Sequence, residues 1–252
     1  LASLVNPVPV ISPLSKDAGT TENNCFTSMP SSEFIKDEMF DYMIQKNGNI
    51  MAIIDPKKTG IKQYIVENQK DTKIVKIDEK GNFSADDLKK LLIKDQINYV
   101  ILASEKTAMI LATTKVLLAS LKEYDIRLVI LENNETLEFD EIDLSILTKL
   151  KLTYPSLSRD NNTANAKIFE TNFKRQNKSL PNIYATRGFD ITYDTMIRLS
   201  QNKSFENTII SSSSEQVESK FDYSKKASGG YIRESGPHSG PGVIKISFKR
   251  GT

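Results

Sequence analysis

Residues Pro181 to Leu199 read PNIYATRGFDITYDTMIRL, and this stretch decides how the rest of the chain is interpreted. Apolar residues recur in it at three- to five-residue intervals, which is the spacing of one face of an α-helix. We therefore predict a helix over 184–201 that buries this face on a sheet, through Tyr184, Phe189, Tyr193, Met196, Ile197 and Leu199. The charged residues of the stretch fall mostly on the other side, where we expect them to face water: Arg187, Asp190, Asp194 and Arg198.

Upstream of this helix, apolar strands alternate with helices from Asn49 onward, a pattern typical of βαβ units and a parallel sheet. The pattern predicts four strands, at 49–54, 73–77, 97–103 and 126–131. The first, third and fourth are nearly continuous in apolar residues, as strands covered on both faces must be, and the second is expected at an edge. Helices predicted over 31–45, 85–95 and 107–123 complete a doubly wound lobe.

The outer segments predict a smaller lobe. Its strands are expected at 8–11 and 150–154 and its helices at 161–176 and 184–201. Two short strands are too few to cover both helices, and the chain begins at Leu1 rather than at a methionine. We therefore expect this lobe to lack its first βα units. Near the C-terminus, 217–223 and 243–248 flank a Gly- and Pro-rich loop and predict a hairpin. The predicted division is 1–30 with 154–212 for lobe 1, and 31–153 with 213–252 for lobe 2.

Composition narrows the classes of function. The 252 residues include 34 basic and 32 acidic side chains, a net charge of +2, and the charges are interspersed. Binding to nucleic acid calls for a clustered basic face, so we expect no nucleic-acid partner. No run reaches the ~18 apolar residues of a membrane-spanning helix, and no secretory signal stands in the chain as given. Cys25 is the single cysteine, so no intrachain disulfide is possible.

The segment from Pro181 to Leu199 resembles the corresponding motif of type I periplasmic binding proteins, the scaffold of the branched-chain amino-acid receptors. VPVISPLSK, at Val8 to Lys16, resembles the strand and loop with which such receptors offer amides and hydroxyls to a ligand. Phe83 to Leu92, followed by INYVILA, resembles their central helix and strand, and FDYSKKASGGYI, at Phe221 to Ile232, their closing hairpin. Similar domains occur in bacterial envelope proteins behind LysM peptidoglycan-binding repeats, although this chain holds no LysM repeat.

The resemblance implies an α/β fold of two lobes, each a doubly wound parallel sheet, with three chain crossings and a cleft that closes on a ligand by hinge motion. In such sheets the loops after the carboxyl ends of the strands line the crevice. The expected ligand contacts are therefore Ser12, Ser15 and Lys16 from one lobe, and Asp55, Lys57, Ser104, Glu105, Lys106, Glu132 and Asn133 from the other.

The same loops depart from the family's amino-acid receptors. Those receptors hold the amino and carboxylate groups of the ligand with a hydroxyl pair, tyrosines at two strand ends and an acid. Here Lys16 stands nearest the second hydroxyl, and no tyrosine follows strand 49–54 or strand 97–103. Acids are available at Glu132 and Glu135. We expect a conserved scaffold whose ligand chemistry has changed.

Residues for catalysis are sparse. His238 is the only histidine and lies among turn-forming residues, and no nucleophile-elbow pattern follows any predicted strand. Cys25 is interpreted as a small buried residue rather than a nucleophile. No GxGxxG follows the first strand of the larger lobe, so no dinucleotide cofactor is expected. One histidine and one distant cysteine make no metal site, while the acids at Glu132, Glu135 and Glu138 form either a hard-cation site or a solvated face.

Two functions follow from these observations. The first is a non-enzymatic binding or sensing module of the bacterial envelope, in the periplasm or outer envelope, with a small polar ligand such as an amino acid, a peptide or a cell-wall fragment. The second is an adaptor domain that has lost its ligand and binds a protein of the peptidoglycan machinery. The absent tyrosines favour the second. A nucleotide-sugar enzyme, also built of two such lobes, ranks third because the chain offers no base–nucleophile pair.

Overall fold

The computed structural model describes residues 8–14, 24–132, 143–155, 163–201, 203–225, 231–233 and 243–245. The chain divides into two compact units, the first drawn from Leu1–Ile35 and Ser156–Gly242 and the second from Lys36–Pro155 and Val243–Thr252. The elements, in chain order, are β1 (Val10–Ser12), β2 (Cys25–Thr27), α1 (Ser32–Gln45), β3 (Asn49–Ile54), α2 (Thr59–Asn68), β4 (Lys73–Ile74), α3 (Ala85–Leu91), β5 (Ile97–Ala103), α4 (Thr107–Ser120), β6 (Asp125–Val129), α5 (Leu144–Lys149), β7 (Thr153–Pro155), α6 (Ala164–Asn177), α7 (Ile183–Leu199), α8 (Phe205–Ser211), β8 (Ser214–Glu215), β9 (Lys220–Phe221), β10 (Tyr223–Lys225), β11 (Tyr231–Arg233) and β12 (Val243–Lys245).

The second unit is built on a six-stranded sheet in the order β12-β7-β6-β5-β3-β4. Its central strands β3 and β5 run parallel over their paired lengths, from Asn49 opposite Asn98 to Ile54 opposite Ala103. The predicted strands 49–54 and 97–103 are confirmed with their bounds. The weak strand predicted at 73–77 is shorter, Lys73–Ile74, and lies at the edge of the sheet as expected.

Helices cover both faces of this sheet. On one face, Met51, Val100 and Leu128 pack with residues of α3, α4 and α5, including Leu88 and Leu117. On the other face, a second cluster joins Ala52, Tyr99 and Ile101 to residues of α1 and α2. The near-continuous apolar character of β3 and β5 follows from this double coverage. Helices α2 and α5 were not predicted, because both are short and follow polar loops.

The first unit contains a four-stranded sheet in the order β1-β2-β11-β10. Its core joins Phe26 to residues from α8, β9 and β10, and the Phe26 ring meets the Phe205 ring edge-on with centroids 5.0 Å apart.

The predicted hairpin between 217–223 and 243–248 is wrong. Strand β10 pairs antiparallel with β11, which is much closer in the chain, while β12 pairs antiparallel with β7 in the second unit. A short connection closes a hairpin at lower entropic cost than a long one, which favours β11 as the partner. Residues 214–225 and 231–233 therefore lie in the first unit, whereas the sequence-based division placed all of 213–252 in the second lobe.

Helix α7 is present, but its predicted orientation is inverted. The residues buried in it are Thr186, Asp190, Asp194 and Arg198. The apolar residues expected in the core are exposed instead: Tyr184 at 63%, Phe189 at 39%, Tyr193 at 47%, Met196 at 63%, Ile197 at 39% and Leu199 at 59%.

The polar side of α7 is buried because its charges find partners there. The Arg198 guanidinium donates from Nε to the Asp194 carboxylate at 2.9 Å, and from Nη1 to the carbonyls of Thr208 and Ser212. The Asp190 carboxylate accepts three backbone N–H bonds, from residues 217, 218 and 219, at 2.9–3.0 Å. Burial raises the pKa of Asp190 despite these donors. A buried charge is tolerated when it is paired and hydrogen-bonded in this way.

Candidate functional site

The loops after β3, β5 and β6 meet at one edge of the second unit's sheet. Parallel strands bring their carboxyl ends to the same edge, where ligands of open α/β sheets bind. A shallow pocket lies here, and it is lined by residues from these strands, their loops and α2: Lys58, Ile61, Leu102, Ala103, Ser104, Glu105, Ile130, Leu131 and Glu132. We call this group, together with Lys36, Asp55, Lys57 and Lys106, which bond to it or to one another, the carboxyl-edge site.

Asp55 lies at the centre of the polar network of this site. It is 4% exposed, and its Oδ1 accepts bonds from the Lys57 backbone N–H at 3.0 Å and the Lys106 ammonium at 3.1 Å. The Ser104 hydroxyl donates to Oδ2 at 3.3 Å and accepts from the Lys106 backbone N–H at 3.1 Å. Asp55 thus holds the loops after β3 and β5 together.

The pKa of Asp55 reflects two opposing effects. Burial alone raises the pKa of the carboxyl, but the bonds from Lys57 N–H, the Lys106 ammonium and the Ser104 hydroxyl hold it below its ordinary value. Asp55 is therefore a fixed carboxylate at neutral pH.

Two further ion pairs flank Asp55. The Lys58 ammonium contacts the Glu105 carboxylate, and the Lys36 ammonium contacts the Glu132 carboxylate at 3.1 Å. Lys36 also lies over the Tyr64 ring, 5.1 Å from its centroid. Each of the three carboxylates that the structure describes at this edge is thus paired with a lysine of the chain itself.

Two helices begin at the same edge, α2 after Lys58 and α4 after Lys106. Neither N-cap lysine offers a side-chain cap to its helix. The first N–H groups and the dipole of a helix favour an anion at its N-terminus. The carboxyl-edge site therefore combines lysine ammonium groups with two helix N-termini, an arrangement that suits a carboxylate or another small anion.

Comparisons with solved structures bear on the fold that carries this site, although no protein-family model matches the sequence and no protein of curated function matches it. An ABC transporter substrate-binding protein from Desulfitobacterium hafniense, solved in complex with Leu, is similar over 92% of this chain and 71% of its own, with a TM-score of 0.51 and 15% identity. A branched-chain amino acid ABC transporter periplasmic ligand-binding protein from Burkholderia xenovorans is similar over 89% of this chain and 63% of its own, with a TM-score of 0.55 and 9% identity.

The chain has the two-lobed type I periplasmic-binding-protein fold. The predicted fold class is confirmed, and so is the resemblance to this family at the level of the fold. The chain spans less than two thirds of the length of the Burkholderia protein. At such identities the likeness concerns the fold, and the chemistry of a site has to be argued from the residues of this chain.

The type I fold places the sequence-predicted contacts as follows. The structure brings together Asp55, Lys57, Ser104, Glu105, Lys106 and Glu132 at the carboxyl-edge site, although Lys57 contributes its backbone N–H and its side chain is exposed. In the first unit, the carbonyl of Ser12 accepts bonds from the backbone N–H and hydroxyl of Ser28, at 3.0 and 2.9 Å. Ser15, Lys16 and Asn133 lie outside the described residues, as do His238, Glu135 and Glu138.

Sequence reasoning missed two residues of the site, Lys36 and Lys58. Lys58 directly follows the predicted contact Lys57, and its position before a helix is a signal that was available. Lys36 lies on α1, far from Glu132 in the chain, and only the packing of α1 on the sheet brings the two together.

Among the described residues, no group of three or more metal-binding side chains is placed to hold an ion, and no helix has the length and apolarity to cross a bilayer.

The network around Asp55 predicts a pH dependence of stability. Because its folded pKa is below the unfolded value of about 3.9, Asp55 stabilises the fold above that pH, and this contribution is lost as the pH falls through the folded pKa. Urea unfolding of the protein and of Asp55→Asn between pH 7 and pH 2 measures this. We expect the difference in unfolding free energy to be largest at neutral pH and to shrink in acid. If the difference in unfolding free energy between the parent and Asp55→Asn does not change with pH, Asp55 does not have a lowered pKa in the folded protein.

Proposed function

We propose that this protein is a non-enzymatic ligand-binding module of the bacterial envelope, in the periplasm or at the outer envelope, and that it binds a small polar ligand bearing a carboxylate at the carboxyl-edge site. The fold supports a binding role, since it is the fold of receptors described as substrate-binding and as holding Leu. The observation that carries the proposal is the network in which buried Asp55 positions the Lys106 ammonium at the edge where ligands of this architecture bind.

The charges of the site favour a carboxylate over an ammonium group on the ligand. A lysine ammonium has three donor hydrogens, and the bond to Asp55 uses one of them for Lys106. The Lys106 side chain is 36% exposed, so a ligand oxygen is able to approach it without breaking the ion pair. Asp55 gives an ammonium group no such access, because it is 4% exposed and already accepts bonds from the Lys57 N–H, the Ser104 hydroxyl and the Lys106 ammonium.

The class of ligand follows from this preference. Amino acids, peptides and the peptide-bearing fragments of peptidoglycan all carry a carboxylate, and all three are small and polar. The tyrosines that help to hold the ligand in the family's amino-acid receptors are absent after strands 49–54 and 97–103, so we propose that recognition here relies on the ligand's carboxylate. Ser12 of the first unit remains a predicted contact.

A thermal and calorimetric screen tests the proposal. Amino acids, peptides and muropeptides are added to the intact chain, and a ligand at a hundred times its Kd is expected to add about 2.7 kcal/mol to the free energy of unfolding. Replacing Lys106 by glutamine is expected to weaken binding of a hit by about 10- to 100-fold, because a hydrogen bond to a charged group contributes ~1.5–3 kcal/mol. Lys62→Gln, an exposed lysine on α2, is the matched control and should bind as the parent does.

Two results contradict the proposal. If none of these compounds stabilises the protein, it does not bind a ligand of this class. If a compound binds and Lys106→Gln leaves its affinity unchanged, the ligand lies elsewhere.

An adaptor role is the second candidate, with a protein of the peptidoglycan machinery as the partner. It is favoured by the internal pairing of the site, because three carboxylate–lysine pairs within one chain form a stable charged surface that needs no ligand. A screen without a hit, together with binding of such a partner that the Lys106 variant weakens, is the result expected of an adaptor.

A further inference from the structure

The pocket of the carboxyl-edge site has apolar walls and a partly exposed, charged mouth. Its walls come from α2, from the end of β5 and from the residues that follow β6, and the wall side chains are all buried: Ile61, Leu102, Ala103, Ile130 and Leu131. Charged side chains lie at its exposed side: Lys58, Glu105 and Glu132. A ligand whose charged group stays at the mouth therefore places its apolar part against these walls.

The walls belong to the core of the second unit. Ile61, Ala103 and Leu131 are part of the cluster that packs α1 and α2 on the sheet. Leu102 and Ile130 belong to the cluster on the other face. Protein cores are close-packed, and extra methylene groups enter them only by forcing side chains out of their preferred rotamers. The core packing therefore holds the pocket at a fixed size.

The pocket is small. Its cavity volume is about 20 Å³, and a site needs ~10–15 Å³ by this measure to hold one water molecule. There is thus room for roughly one or two waters, or for one methyl group, which is close to a water molecule in size. The side chain of a leucine or a phenylalanine has several carbon atoms and does not fit between these walls.

Ser104 joins this pocket to the lysine that carries the proposed function. It lines the pocket, and its hydroxyl accepts a bond from the Lys106 backbone N–H and donates one to the Asp55 carboxylate. The same carboxylate accepts a bond from the Lys106 ammonium at 3.1 Å. Because the Asp55 carboxylate bridges the Ser104 hydroxyl and the Lys106 ammonium, one small ligand is able to reach both the pocket and the ammonium.

We propose that this pocket selects ligands by size: the carboxyl-edge site binds a carboxylate whose neighbouring carbon carries no apolar group larger than a methyl, and Ile61 sets this limit. The size limit rests on the proposed function and narrows its ligand class to glycine, alanine and peptides that end in one of them. Ile61 reaches the pocket from α2, whereas the other walls belong to the ends of neighbouring strands. Shortening Ile61 therefore widens the pocket without changing a strand.

Calorimetric titration of the intact chain with three pairs of probes tests the size limit. The pairs are alanine and leucine, their N-acetyl derivatives, and alanyl-alanine and alanyl-leucine. All six probes carry the carboxylate, and the members of a pair differ only in the size of the side chain beside it. The parent chain is expected to bind the alanine member of a pair at least ~10-fold more tightly, because one methylene in an apolar pocket changes discrimination by roughly 10- to 200-fold.

Two isoleucines of α2 offer matched variants. Ile61 and Ile65 are both buried in the same cluster, but only Ile61 is among the residues that line the pocket. Ile61→Val and Ile61→Ala widen the pocket and are expected to lower the preference for alanine over leucine in two steps, by about 10-fold in Ile61→Ala. Ile65→Val and Ile65→Ala remove the same atoms from the same helix and should keep the parent's ratio. The ratio compares two affinities of one folded variant, so a loss of stability alone does not change it, and circular dichroism establishes that each variant is folded.

Three results overturn the size limit while the probes still bind. The leucine member of a pair binds the parent chain as tightly as the alanine member does; or the folded Ile61 variants keep the parent's ratio; or the Ile65 variants change the ratio as much as the Ile61 variants do. In these cases a loss of binding in Lys106→Gln leaves the proposed function standing. If no probe that ends in alanine binds, the size limit is wrong, and the proposed function is wrong with it only if the other compounds of its own screen also fail to bind.

Discussion

Replacing Asp194 by alanine is expected to lower the free energy of unfolding by about 3–5 kcal/mol, because it leaves the Arg198 guanidinium buried without its counter-ion. The side chains of Asp194 and Arg198 are 4% and 2% exposed and lie 2.9 Å apart. Asp194 also accepts a bond from the Ser214 hydroxyl, so the loss extends to the segment that follows α8. Urea unfolding followed by circular dichroism measures the change.

An exposed ion pair provides the control for this measurement. Lys90 and Asp87 lie on α3 at 3.0 Å, with side chains 73% and 47% exposed, and Lys90→Ala is expected to lower the free energy of unfolding far less than Asp194→Ala does. The double variant Asp194→Ala with Arg198→Met removes both charges and is expected to lose less than Asp194→Ala alone. If Asp194→Ala costs no more than Lys90→Ala, the buried pair does not hold α7 in place.

Replacing Gly48 by alanine is expected to cost about 3 kcal/mol, at the upper end for overpacking of a core. A Cβ at this position would lie 2.3 Å from Cδ2 of Tyr99 and 2.9 Å from the carbonyl oxygen of Met43. The Tyr99 ring is fully buried and packs edge-on against Tyr42, so it has little room to move. Thermal and urea unfolding of the variant measure the loss.

Gly60→Ala is the matched control, since a Cβ there meets no atom within 4 Å. Gly60 lies in α2, where alanine is the better helix former by up to ~1 kcal/mol, so this variant should be as stable as the parent or more so. Combining Gly48→Ala with Tyr99→Leu removes the ring atoms in conflict, and the pair is expected to lose less than the sum of the two single changes. A neutral Gly48→Ala would show that the contact of β3 with α1 and β5 is looser than described.

Most of the second unit could be predicted from the sequence. Strands 49–54 and 97–103 were identified with their bounds, because a strand covered on both faces is continuous in apolar residues and its flanking loops are polar. The start of α3 was identified by Ser84, whose hydroxyl accepts the Asp87 N–H. The residues predicted for the carboxyl-edge site directly follow the strands of this unit. Because the strands run parallel, their carboxyl ends lie at the same edge of the sheet, and this alone predicts that these residues lie close together.

The two largest errors, the orientation of α7 and the pairing of the C-terminal hairpin, have a common cause. The periodicity of α7 was detected correctly, yet periodicity locates two faces of a helix and does not state which one is buried. Asp190, Asp194 and Arg198 belong to the interior because their partners, the 217–219 backbone and the carbonyls of Thr208 and Ser212, come from elsewhere in the chain. The C-terminal hairpin was mispaired for a similar reason, since the open edge of β7 was not visible in the local pattern.

The sequence by itself determined the α/β class, the strands and helices of the larger unit and the polar loops of the carboxyl-edge site, because these depend on apolar spacing and on residues close in the chain. Only the tertiary structure decided that Lys36 joins that site, that β12 completes the second unit's sheet and that α7 turns its charged side inward. These features depend on contacts between distant segments, and a buried charge is stable only where such contacts supply its partner.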